Sequence, residues 1–187
     1  MKFHLRSKLS KEFAVCLLFF AFSFFANAQA YEQIPDESKL EFRIKNMGIA
    51  VRGSFSDFEI ETNLKPEDLE NSYLNSSVSV VSIDSGVRKR DKSLMDEKYF
   101  DSSEFPVIRF ESKSISKDDS GNLILEGELR LKSVSSAIKI PIEVSQQGEY
   151  LSIKADFKVN RRDFGIGGKS WMMGDEVQVN VVYKGRK

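Results

Sequence analysis

The chain has 187 residues, of which 41% are hydrophobic, and its 28 basic and 28 acidic side chains give a formal net charge of zero. This balance provides no general attraction to phosphate backbones, so nucleic-acid binding is not expected. The length is sufficient for one domain with a real hydrophobic core.

The N-terminus has the layout of a secretory signal peptide. A basic segment precedes an apolar run over residues 13–25, and the small residues Ala26 and Ala28 follow with one residue between them. The run is shorter than the ~20 residues that span a bilayer core. We therefore predict that residues 1–28 are a signal peptide, with a second cleavage frame after Ala30, and that the mature protein is periplasmic or secreted without a stable membrane span. Cys16 follows Val15 inside the apolar run, where no lipid attachment is expected.

Cleavage removes the only histidine, His4, and the only cysteine, Cys16. The mature chain, residues 29–187, has 24 basic and 27 acidic side chains. It lacks the residues for a disulfide, for a zinc site of the usual nitrogen and sulfur ligands, and for Ser-His-Asp or Cys-His catalysis. We predict no cofactor and no metal.

From residue 40 onward, apolar and polar residues alternate in a succession of short runs, a period typical of strands with one buried face. The pattern changes phase between Val80 and Val81, which suggests a β-bulge. Turn residues separate the runs at 118–122, 146–148 and 167–168. Short strands with such turns indicate an antiparallel sandwich or barrel. The alternating runs are 40–44, 58–62, 78–83, 123–131, 138–144, 151–159 and 177–183.

Little helix is expected between these strands. Residues 88–95 are the best candidate, with a cap from Asp84 or Ser85, and a second short turn is predicted over residues 66–69. No internal repeat or linker interrupts the pattern, so residues 29–187 are predicted to form one domain.

Several large apolar residues lie outside the strands, in segments 47–55, 94–105 and 164–173. They can form a satellite core beneath long loops, which from the residues alone is the simpler interpretation. Alternatively, they can line the mouth and wall of an apolar cavity, since an eight-stranded barrel is wide enough to hold one small ligand.

The polar candidates are less specific. The charge-rich segment 84–91 and the basic residues of 161–163 can hold an anionic head group, or simply face solvent. Carboxylates are abundant, but no spacing selects a pair for glycosidase chemistry. Gly165 and Gly167 do not make a nucleotide site without a following helix.

Six segments of the mature chain form an ordered set of motifs, and they are 34–42, 47–55, 82–91, 98–110, 160–166 and 174–177. In this order they resemble the motifs of the YceI-like family of exported lipid-binding proteins. One departure lies at residues 131–138, where the glycine and proline usual between two late strands of the family are missing. That hairpin is therefore expected to differ in shape.

The resemblance implies an all-β fold, an extended, lipocalin-like antiparallel barrel of about eight strands with one short helix. It also implies that the protein is not an enzyme, and that a long apolar tunnel holds a polyisoprenoid or similar amphiphile as carrier or reservoir. Arg88, Arg90 and Arg162 are weaker candidates for the head group. The predicted tail contacts are Phe42, Ile44, Met47, Val51, Phe55, Leu94, Met95, Tyr99, Phe100, Phe164, Trp171 and Met172.

Two alternatives stay open at this stage. The barrel can be solid and act as an interaction module for another envelope protein, or its carboxylates can act in a hydrolase. The sequence also leaves open whether the protein is a monomer or a homodimer.

Overall fold

Eleven strands form one antiparallel sheet in a computed structural model that describes residues 30–187. The predicted signal peptide, residues 1–28, lies outside the described residues. The strands are β1 Glu32–Gln33, β2 Lys39–Asn46, β3 Ile49–Phe55, β4 Phe58–Thr62, β5 Leu74–Ser79, β6 Ile83–Asp84, β7 Val107–Lys117, β8 Leu123–Leu131, β9 Val134–Gln147, β10 Tyr150–Asn160 and β11 Met173–Arg186.

The sheet curls into a barrel because β3 and β4 form one bent strand and β5 and β6 form a second. These two bent strands contain both edges of the sheet. The order is β4-β5-β7-β8-β9-β10-β11-β2-β3-β6, with β1 beside β11. Only residues 56–57 separate β3 from β4, and only 80–82 separate β5 from β6. Phe55 pairs with Ile83 before the bend and Phe58 pairs with Val78 after it, so the two bent strands are paired on both sides of the bend. Counted in this way, eight long strands make the barrel, which confirms the predicted fold class.

Alternation explains which side chains enter the barrel. Along β2, exposed residues alternate regularly with less exposed ones, among them Leu40, Phe42 and Ile44. At the end of the barrel where β1 pairs with the last residues of β11, the core is dense, and Leu64, Leu151 and Tyr183 are completely buried. We call this the terminal end.

The phase change at Val80 is real, but it is produced by a 3-10 helix, Val80–Ser82, and not by a β-bulge. The N–H of Val80 donates to the Pro106 carbonyl at 2.9 Å, which fixes the break against the neighbouring segment. As a result Val80 is buried while Val81 is 58% exposed.

Helix α1, Arg88–Leu94, matches the prediction closely, with Met95 at its C-cap. The predicted cap is wrong, because Val87 is the N-cap residue and makes no side-chain hydrogen bond there. Residues 66–67 form the second turn, where the Asp68 N–H donates to the Lys65 carbonyl at 3.0 Å. Within residues 30–187, no helix is long and apolar enough to cross a membrane.

The hairpin at residues 131–138, where the family pattern is missing, is a tight one. Only Lys132 and Ser133 connect β8 to β9, and Lys132 has a φ of +53°. Its Nζ donates to the Glu97 carbonyl at 2.8 Å, which attaches the turn to the segment that follows α1.

Candidate functional site

The barrel encloses an elongated apolar cavity of about 260 Å³. On the same measure a single water needs only ~10–15 Å³, so the space is large enough for a sizeable molecule. Along β10 alone the lining extends from Ile153 to Val159 and on to Arg161, roughly 26 Å at the ordinary rise of a strand. The cavity is therefore a channel along the barrel rather than a surface pocket.

Inward-facing residues of the regular strands make most of the cavity wall. Alternation along β8 to β11 predicts that these positions are buried, but it does not distinguish cavity wall from packed core. They contact the same empty space and are Leu125, Leu129, Leu131, Ile138, Ile140, Ile142, Ile153, Ala155, Phe157, Val159, Val177, Val179 and Val181.

Seven of the twelve apolar residues predicted as tail contacts also line the cavity. Within this group the Phe55 ring lies 5.7 Å from that of Phe42 and 6.4 Å from that of Phe100, between centroids. Phe42 reaches inward because it lies over Gly53, its cross-strand partner, where any Cβ would collide with the ring. The seven are Phe42, Ile44, Val51, Phe55, Leu94, Tyr99 and Phe100.

The other five predicted contacts lie elsewhere. Met95 packs in the cluster around Phe55 without lining the cavity, and Phe164 is buried at the end of the 3-10 helix Arg161–Phe164. Met47, Trp171 and Met172 are exposed on the outer surface. Whether any of the twelve contacts a ligand stays a prediction.

Three segments close the barrel at the end opposite the terminal end, which we call the loop end. The β2–β3 turn is attached to the loop before β11 by a hydrogen bond from the Met47 N–H to the Met172 carbonyl, 2.6 Å long. The same loop is attached to the segment after α1 by the Gly167 N–H, which donates to the Lys98 carbonyl at 2.9 Å.

Arg161 belongs to the basic segment 161–163 but was not among the predicted head-group contacts, and its hydrogen bonds hold the loop end together. Its side chain is 3% exposed and lines the cavity. The guanidinium donates to the carbonyl oxygens of Gly174, Ile166, Gly168 and Met173 at 2.6 to 3.1 Å, and to Asp175 Oδ1 at 2.8 Å. All five N–H donors are therefore used within the protein, and none is left for a ligand. Sequence alone had no signal to distinguish Arg161 from its exposed neighbour Arg162.

Arg90 is the other arginine on the cavity wall. Its Nε and Nη2 each donate to Ser85 at 2.7 Å, to the hydroxyl and the carbonyl oxygen respectively. Ser85 is buried, and its N–H and hydroxyl both donate to Asp91 Oδ1. Among residues 30–187, Arg90 forms no ion pair, and its hydrogen bonds to Ser85 use only two of its five N–H donors.

The remaining head-group candidates are on the outside. Arg88 is exposed and does not line the cavity. Arg162 is 41% exposed and pairs with Asp175 Oδ2 at 3.1 Å. Neither points to the interior as Arg90 does.

The interior is strongly desolvating. Burial, and to a smaller extent the neighbouring Tyr31, raises the pKa of the Tyr183 phenol on the cavity wall to about 12. Within the described residues, no group of three or more acidic, histidine or cysteine side chains could hold a metal ion. The geometry is suited to holding an apolar chain in the channel, whose wall contains few polar side chains.

Fold and cavity together define an all-β barrel with an apolar, elongated interior. The model of the YceI-like domain matches residues 31–184, and the chain belongs to this family. Protein YceI of Shigella flexneri is 24% identical over 187 residues, covering 96% of this chain and 97% of its own.

Solved structures share the fold at lower identity. BcnA of Burkholderia cenocepacia superposes with a TM-score of 0.77 at 21% identity, over 82% of this chain and 99% of its own. A polyisoprenoid-binding domain from Saccharophagus degradans, implicated in plant cell wall breakdown, superposes with a TM-score of 0.65 at 12% identity, over 83% and 97%.

Proposed function

We propose that this protein is an exported, non-enzymatic carrier or reservoir that holds a polyisoprenoid or similar long-chain amphiphile inside the barrel. The observation that supports this most directly is the elongated cavity, whose wall is almost entirely apolar. Burial of an apolar tail there gains ~25 cal/mol per Å² of surface removed from water. The Saccharophagus domain of the same fold is described as binding polyisoprenoids, which fits such a tail.

The head group would lie at the loop end. The polar side chains that line this part of the cavity include Asn46, Ser85 and Arg90. Arg90 is the best candidate to bind an anionic head group, because it is the cavity-lining arginine whose donors are not all used. Arg161 instead keeps the loops around that head in place.

The cavity also argues against the solid-barrel interaction module. A packed interior leaves few voids larger than a water molecule, whereas this one has room for many. No feature of the described residues favours the hydrolase, since no pair of carboxylates lies in the cavity wall.

Native extraction tests the proposal. The exported protein is purified without detergent and extracted with organic solvent, and the extract is analysed by mass spectrometry. We expect a long-chain lipid at a reproducible ratio to protein, with Arg90→Gln reducing recovery of anionic species more than Arg88→Gln does. Repeated recovery of empty protein that also takes up no added prenyl lipid would refute the proposal.

A further inference from the structure

Four large apolar side chains project into solvent side by side at the loop end. Met47 and Ile49, in and beside the β2–β3 turn, are 68% and 71% exposed, while Trp171 and Met172 are 90% and 42% exposed. The hydrogen bond between Met47 and Met172 joins the two loops directly. We call these four residues the tip patch.

Packing within the barrel does not explain the tip patch. None of its members lines the cavity or belongs to the two clusters of buried residues. Single exposed apolar residues are ordinary, but several on adjacent protruding loops mark an interaction site. A tryptophan that is nine-tenths exposed is the strongest sign, because its ring loses most by remaining in water.

The charges around the patch indicate the partner. Segments 42–52 and 164–174, which contain it, have four basic residues, Arg43, Lys45, Arg52 and Lys169, and no acidic residue. Residues 30–187 as a whole are slightly acidic, with 24 basic and 27 acidic side chains. The two segments that contain the tip patch are therefore cationic, whereas the described protein as a whole is slightly anionic, and they complement a negatively charged surface.

We propose that the tip patch docks on the surface of an anionic lipid bilayer. Trp171 and the neighbouring apolar side chains would enter the boundary between head groups and acyl chains, where tryptophan is enriched, and the lysines would meet lipid phosphates. Asn46 and Met173, which flank the patch in sequence, line the cavity, so docking places the cavity's loop end against the bilayer. The contact uses only the outer surface and holds whether or not the cavity takes a lipid.

Trp171 reports on this contact directly, because it is the only tryptophan in the chain. The exported protein, with loss of the leader verified by its intact mass, is mixed with vesicles of phosphatidylcholine containing 30% phosphatidylglycerol. We expect flotation with the vesicles, a blue shift of the emission, and quenching by brominated acyl chains. Vesicles of phosphatidylcholine alone should bind at least tenfold more weakly.

Variants localise the contact. Met47→Ser combined with Ile49→Ser should weaken binding at least tenfold while retaining the reporter, and Lys45→Glu combined with Lys169→Glu should remove the preference for phosphatidylglycerol. Tyr150→Ser is the matched control, since Tyr150 is 51% exposed but begins β10 at the terminal end, roughly 33 Å away. It should bind like the unmodified protein.

Three results would overturn the proposal. They are no flotation or spectral change with anionic vesicles, binding that the tip variants leave unchanged, and a dimer in analytical ultracentrifugation that Trp171→Ala dissociates. The last would identify a second copy of the chain as the partner. Because no cargo is needed, each result is independent of the extraction experiment.

Discussion

The side chain of Arg161 shows how one residue can determine the shape of an entire loop. Its guanidinium fork satisfies four carbonyl oxygens of segment 166–174 and pairs with Asp175. Carbonyl oxygens turned inward need a donor when water is excluded. Arg161 supplies that donor from the end of β10, so the loop can run over the cavity without regular secondary structure.

We predict that Arg161→Met lowers the free energy of unfolding by about 3–5 kcal/mol, because it leaves several buried polar groups without partners. Arg162→Met should cost no more than about 1 kcal/mol, since that side chain is half in solvent. Urea unfolding followed by circular dichroism measures both. Equal effects of the two substitutions would contradict the structural role given to Arg161.

The raised pKa of Tyr183 predicts that the free energy of unfolding decreases at alkaline pH. Because its pKa is raised from about 10 to about 12 in the folded protein, the folded state holds the phenolic proton more tightly than the unfolded state. Its effect on stability is therefore constant below pH 10 and becomes destabilising as the pH rises toward 12. Tyr183→Phe should shift the midpoint of alkaline unfolding upward, and Tyr150→Phe, at an exposed site, should not. Far-UV circular dichroism against pH distinguishes the two.

At the scale of elements, the loop end depends on irregular segments that stabilise one another. The Lys132 ammonium donates a hydrogen bond to the Glu97 carbonyl, and the Gly167 N–H donates one to the Lys98 carbonyl. The β8–β9 turn and the loop before β11 are therefore both attached to the segment after α1. Gly167 allows this approach, since a Cβ there would lie 2.6 Å from Met173 Cε and 3.0 Å from Tyr99 Cε1.

Two adjacent glycines give a matched test of this contact. Gly167 and Gly168 both have positive φ, +69° and +57°, but only Gly167 has neighbours within 4 Å of the added carbon. Gly168→Val should show backbone strain alone, whereas Gly167→Val should also separate the two segments. Hydrogen exchange of residues 96–105 and 165–172 should accelerate more in Gly167→Val. Identical exchange in both variants would show that the contact is dispensable.

At the scale of the whole molecule, the barrel has both a packed and an empty part. The terminal end contains the fully buried residues Leu64, Leu151 and Tyr183. The channel begins at Tyr183, which lines it, and continues to the loop end. Side chains around the empty part lack the van der Waals contacts that they would make in a packed core. A bound apolar tail would supply these contacts.

A larger side chain in the channel should therefore reduce lipid uptake without reducing the stability of the fold. Ala155 lines the cavity, so Ala155→Phe should leave the free energy of unfolding unchanged or raise it by up to about 2 kcal/mol, while lipid recovery falls several-fold. Ala137→Phe, on the exposed face of β9, should alter neither. Urea unfolding and quantitative lipid extraction are the measurements. A loss of about 1–3 kcal/mol in Ala155→Phe would instead indicate a filled interior.

The sequence by itself determined most of the long strands and which face of each turns inward, whereas β3, β7 and most of β5 lie outside the predicted alternating runs. Alternation along β2, β8, β10 and β11 identifies their buried positions, because a strand repeats every two residues. It also identified α1 and the turn residues, and the order of its motifs matched the YceI-like family. Local rules suffice for these features, since each depends on neighbours in the chain.

Only the tertiary structure decided which buried positions face empty space and which face other side chains. Leu151 and Ile153 look alike in sequence, yet only Ile153 lines the cavity, and Arg161 and Arg162 likewise differ only through contacts across the barrel. The same holds for Trp171, whose size suggested a cavity wall and whose side chain instead projects from the loop end. The burial of a side chain depends on contacts with residues from distant parts of the chain. The pattern of residues within a single strand or loop therefore cannot predict it.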